Sequence, residues 1–145
     1  MRPYLLSAFA VPLTIATLVA CGNDSTAPTQ APVGSYTAII FVTTGASGQT
    51  NQLQNGSSLS INLAADGTTT GHLHVAASGS NPVFDADMAG TWTMNGDKVT
   101  FGQTADTFVR NLEFTVQPLS TQTWSLVADR VVNGTRFNIT LAQHV

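Results

Sequence analysis

Four residues near the middle of the chain have the types and spacing of a metal site. His72 and His74 stand two apart, so on an extended strand both imidazoles project from one face. Asp85 and Asp87 repeat that spacing a short way downstream. If the two segments form a hairpin, His74 lies near Asp85 or Asp87. Two imidazoles and two carboxylates then share an outer face, a donor set that suits Zn2+ or Cu2+. The other reading of the same residues is a solvated face carrying a cross-strand His–Asp pair.

A second constellation is apolar with one cation. The Asn133-Gly134 dipeptide favours a type I′ hairpin turn, which sets Arg130 opposite Phe137 and in phase with Trp124. A lone cation at the rim of an apolar barrel can pair with a ligand carboxylate. The alternative is an arginine whose stem covers Phe137 while its head reaches water. Trp92 and Trp124 serve either as ligand-facing aromatics or as core. The chain has no Gly-x-Ser-x-Gly elbow, phosphate-binding glycine loop or HExxH pair, and its acidic residues are scattered. The expectation is therefore a binding protein that is not an enzyme and carries no cofactor.

The elements that must position these residues are strands. From Gly34 onward apolar residues alternate with polar ones, with turn signals every 8–15 residues. The pattern predicts eight strands: Ser35–Thr44, Leu59–Ala65, Thr69–Ala77, Phe84–Met94, Lys98–Gly102, Asn111–Gln117, Thr123–Val131 and Arg136–Gln143. Their inward residues include Leu59, Ile61 and Leu63, then Leu73 and Val75, then Phe84, Met88 and Trp92. On the first strand Ile39 and Phe41 in one phase compete with Tyr36, Ile40 and Val42 in the other. Asn95-Gly96 as a two-residue loop pairs Trp92 with Val99 and Gly90 with Phe101.

Eight antiparallel strands with one apolar face predict an all-β, closed up-and-down barrel, with a two-sheet β-sandwich as the alternative. Loops 45–57, 78–83 and 103–110 would gather at one end, the mouth, and short turns at the other. The layout resembles the lipocalin-like barrels. Gly34-Ser35-Tyr36 stands where that family opens its first strand with Gly-x-Trp, the long Gly45–Ser57 loop follows, and a Gly-Thr-Trp recurs at Gly90–Trp92. The resemblance implies binding of a small apolar molecule, with Tyr36 among the candidate ligand-binding residues beside Arg130, Trp92, Trp124 and Phe137. A barrel filled by its own side chains would instead imply a partner protein of the cell envelope.

The N-terminus carries a different chemistry. Leu18-Val19-Ala20-Cys21 resembles the lipobox of bacterial lipoproteins, and Cys21 is the only cysteine of the chain. Met1-Arg2 and the apolar run from Tyr4 to Val19 match a signal peptide in charge and length; the alternative is an uncleaved anchor helix. The resemblance implies removal of residues 1–20 and a lipid thioether on Cys21, tethering the chain to a membrane. Gly22, where enteric-type lipoproteins kept at the inner membrane carry Asp, implies the outer membrane. Residues 21–33 then form a linker, extended and unable to bury a core, and residues 34–145 the barrel domain. From Cys21 on, Lys98, Arg110, Arg130 and Arg136 face seven Asp and Glu113, a formal charge of −4. No basic stripe exists, which excludes nucleic acid as the expected partner.

Overall fold

Side chains that alternate along every strand leave one apolar face, and a single sheet can hide such a face from water by curling until its edges meet. That is what this chain does. The computed structural model describes residues 32–144. It contains β1 (Gly34–Gly45), β2 (Gly48–Asn51), β3 (Ser58–Leu63), β4 (Thr68–Val75), β5 (Phe84–Asp87), β6 (Gly90–Asn95), β7 (Lys98–Gln103), β8 (Glu113–Pro118), β9 (Trp124–Val132) and β10 (Thr135–His144). A 3-10 helical turn, Phe108–Asn111, precedes β8. All pairings are antiparallel, each strand following its predecessor around the wall. β1 then pairs β10 from Ser35–His144 to Thr44–Arg136. That pairing closes an eight-stave barrel and excludes the sandwich. β5 and β6 make one interrupted stave, and β2 only folds back on the far end of β1.

The inward phase is the one periodicity predicts. Leu59, Ile61, Leu63, Leu73, Val99, Phe114, Leu126, Ile139 and Leu141 are buried in one contiguous core. Met88, Trp92 and Phe101 belong to the same core. β1 resolves its two competing phases with a bulge between Ala38 and Ile40. One extra residue there shifts the alternation by one. Tyr36 and Ala38 point inward before it and Phe41 after it, while Ile39 and Ile40 both face solvent.

Two hairpins test the turn chemistry. Asn133 and Gly134 both adopt positive φ, 51° and 80°, as a type I′ turn requires. Arg130 pairs with Phe137, Ala128 with Ile139 and Leu126 with Leu141, the expected register. At Asn95-Gly96 the register differs by two. Asn95 pairs with Lys98, and Gly96-Asp97 is the loop, with φ 62° at Gly96 alone. Trp92 therefore faces Phe101, not Val99, and Gly90 faces Gln103. A slip of two conserves the buried face, so alternation cannot distinguish the two registers.

The expected single strand over 84–94 is broken at Met88-Ala89. The Met88 N–H donates to the Gly71 carbonyl at 2.9 Å, and the Thr104 N–H donates to the Ala89 carbonyl at 3.1 Å. Beyond this point β5 continues along β4 while β7 has ended, so the wall splits. Gly90 sits at the fork with Gln103 Cα 2.8 Å from where a Cβ would stand, and with the Gly102 carbonyl closer still. Only glycine fits that approach.

Candidate binding pocket at the barrel mouth

The split wall opens into a pocket of about 360 Å3 at the mouth. Phe84 and Pro82, from β5 and the loop before it, form one side, and Asp106, Thr107 and Phe108 form the other. Phe41, Thr43 and Phe137 close the back. Each aromatic arrives by a different local cause. Phe41 points inward because of the β1 bulge. Phe137 is the first inward position of β10 after the type I′ turn. Phe108 opens the 3-10 turn, which Val109, fully buried, pins to the core.

The aromatics pack on one another. Phe108 and Phe137 stack with centroids 4.3 Å apart and planes 18° from parallel. Phe41 lies 5.7 Å from Phe108 at 43°. Phe84 is 45% exposed at the lip, an aromatic edge left open to water. Polar groups sit at the margins. The Gln52 amide nitrogen donates to Thr43 Oγ1 at 2.7 Å, and Ser57 Oγ donates to the Gln52 amide oxygen at 3.2 Å. Asp106 is the one ionisable residue in the lining, and Arg110 Nη2 lies 2.9 Å from its carboxylate. An apolar hollow with a few polar groups at its edge is the usual form of a small-molecule site.

Phe137 is the one member of the predicted ligand-binding set that lines this pocket. Arg130 does not point into the barrel. Its side chain is 55% exposed, with Nη2 3.1 Å from Glu113 Oε1. Inner phase alone does not bury a residue past the rim, where water and a carboxylate are both within reach. Tyr36, Trp92 and Trp124 lie at the opposite, closed end. Tyr36 Oη donates to the Pro32 carbonyl at 2.7 Å, and burial pushes its phenol well above the usual range. Trp92 Nε1 donates to the Ala64 carbonyl at 2.9 Å. Trp124 is half-buried against the core, its backbone N–H held by Gln143 Oε1 at 2.9 Å. These three seal the bottom.

Comparison with protein-family models, curated proteins and solved structures returns no match. The reading of the pocket therefore rests on its own geometry.

The histidine face forms as the spacing predicts, on the outside of β4 and β5. His72 pairs with Asp87 and His74 with Asp85 across the ladder. His72 Nδ1 is 2.9 Å from Asp87 Oδ1, and His74 Nδ1 is 2.7 Å from Asp85 Oδ1. His72 Nε2 also comes within 3.4 Å of Asp85 Oδ1. The Asp87 carboxylate beside His72 raises the imidazole pKa, and the hydrogen bond from His74 lowers that of Asp85. Both ring nitrogens of His72 and Nδ1 of His74 face carboxylates. Among the described residues no group of three or more His, Cys, Asp or Glu is arranged to hold a metal ion. The arrangement of His72, His74, Asp85 and Asp87 is a double His–Asp clamp, the form that the solvated-face reading of these residues expects.

Sequence reasoning missed Phe41 and Phe108. Phe41 is hidden by the bulge. Phe108 had a visible signal: a Phe-Val pair, with Leu112 one turn on, is too apolar for a solvated loop and marks a segment folded back on the core.

Proposed function

We propose that this protein is a lipid-anchored lipoprotein of the bacterial cell envelope that binds a small apolar molecule at the mouth of its barrel. The observation that carries this reading is the aromatic pocket between β5 and the 104–108 segment. Its lining holds one ionisable group, itself paired with Arg110, which supports binding over catalysis. The lipocalin-like layout agrees with it. Anchoring rests on the lipobox resemblance, whose Cys21 lies outside the described residues, and Gly22 favours the outer membrane.

A second reading has its own support. Below the pocket the interior is occupied by Met88, Phe101, Phe114 and Trp92, so a ligand has the mouth and not the whole barrel. A filled barrel suits an accessory that contacts another envelope protein. Native mass spectrometry of the chain purified from envelopes separates the two. The binding reading expects a small non-covalent mass that disappears on denaturation and is absent from a Phe108→Ala variant. A clean apo mass, unchanged after incubation with small apolar compounds, rejects it in favour of the partner reading.

A further inference from the structure

We infer that the mouth pocket selects an uncharged, flat, ring-sized molecule and rejects fatty acids and other organic anions. This rests on the reading of the pocket as a ligand site. A carboxylate taken out of water needs a cation or several donors, or the cost of its desolvation prevents binding. Each of the four Lys and Arg residues of the described chain is already paired with a carboxylate. Lys98 pairs with Asp97, Arg110 with Asp106, Arg130 with Glu113, and Arg136 with Asp129. None of them lines the pocket. The one charge that does is the Asp106 carboxylate, compensated by Arg110 at 2.9 Å, so the lining offers an anion no uncommitted cation and a neutral guest no penalty. The histidines of the clamp lie on the outer face of β4 and are tied to Asp85 and Asp87.

Size and shape narrow the class further. A volume of about 360 Å3 is at the small end for ligand pockets. A long acyl chain needs a channel into the interior, and Leu73, Met88, Phe114 and Ile139, all fully buried, occupy the interior beneath. The stacked Phe108–Phe137 pair and the tilted Phe41 offer faces and edges of rings. Such surfaces favour a planar π-system that stacks in offset or edge-on geometry over a globular hydrocarbon of equal volume. Thr43, Gln52 and Asn81 at the margin are neutral and can bond a neutral polar tip.

The test uses three probes of similar size: 2-naphthamide, its near-isostere 2-naphthoate, and the globular 1-adamantanecarboxamide. Each is titrated at pH 7 into the full protein in nanodiscs, with empty nanodiscs as the baseline. The expected result is that naphthamide binds about tenfold or more tighter than either of the others. That binding should be lost in Phe108→Ala, and Asn81→Lys should bring naphthoate up toward naphthamide. If naphthoate binds as well as naphthamide and Phe108→Ala abolishes both, the charge argument is wrong and the pocket stands. Equal binding of the adamantane probe overturns the preference for a flat ring. If no probe binds, or if binding ignores Phe108→Ala, the mouth is not a ligand site and this inference falls with that reading.

Discussion

Gln103 points into the barrel at 7% exposure, and neither its amide nitrogen nor its amide oxygen has a hydrogen-bond partner. The other buried polar side chains differ: Ser57, Thr69, Thr107 and Ser125 each reach an acceptor or donor. A buried amide without partners costs about 1–3 kcal/mol relative to a satisfied one. Gln103→Met keeps the unbranched shape and removes both orphan atoms. It should therefore raise the free energy of unfolding by about 1 kcal/mol, read from the urea midpoint at unchanged slope. A fall of similar size would show that a buried water satisfies the amide and that the substitution leaves a void. The sequence carries no warning of this residue, since the apolar phase of its strand fades after Phe101 and a glutamine there reads as the start of a loop. Leu59, Ile61 and Leu63 are the opposite case, because three alternate aliphatics between polar residues leave no other face to bury.

β5 is the element on which the pocket depends, and it is weakly held. It pairs with β4 over four residues, and among the described residues no strand pairs with its other edge. The His–Asp clamp fastens that pairing from outside, so its protonation state bears on the lip of the mouth. His72 is held above its ordinary pKa of 6.5 by Asp87, so its contribution is complete below 6.5 and is lost as pH rises through the raised value. Asp85 is held below its ordinary 3.8 by His74, so its contribution is complete above 3.8 and is lost as pH falls through the depressed value. The clamp is therefore strongest between 3.8 and 6.5. An NMR titration at low salt should place the His72 midpoint above 6.5, and Asp87→Asn should lower it. Amides of β5 should exchange faster at pH 8 than at pH 5.5 once intrinsic exchange is corrected for, and His72→Gln should flatten that difference. An unperturbed His72 midpoint would mean that the pairs do not persist in solution, the common fate of exposed ion pairs. The shared face was legible in the sequence because period two on a hairpin sets both histidines and both aspartates outside, while which carboxylate each imidazole meets depends on a register the spacing leaves open. The fork at Gly90 and the bulge at Ile39 were not. Each depends on how neighbouring strands diverge around a closed wall, which no single strand's pattern contains.

Closure fixes where the two ends of the described chain lie. The chain enters β1 beside the sealed bottom, where Tyr36 holds the Pro32 carbonyl and the Gln143 amide nitrogen donates to the Val33 carbonyl at 2.8 Å. The mouth is at the other pole. Under the proposed anchoring, a lipid on Cys21 would therefore join the barrel from the pole opposite the pocket. In the proposed anchoring, intact mass spectrometry of the mature protein should give the chain from Cys21 to Val145 plus a diacylglyceryl thioether, with or without an N-terminal acyl group. Cys21→Ser removes the nucleophile that the lipid needs, so that variant should keep residues 1–20 and carry no lipid mass. Proteolysis before Gly34 should release a barrel that still binds the neutral probe, because the lining described for the pocket runs from Phe41 to Phe137. A wild-type mass beginning at Met1 without lipid would reject the anchor while leaving the barrel and its mouth intact. A released barrel that no longer bound the probe would instead show that the tether or the membrane completes the site.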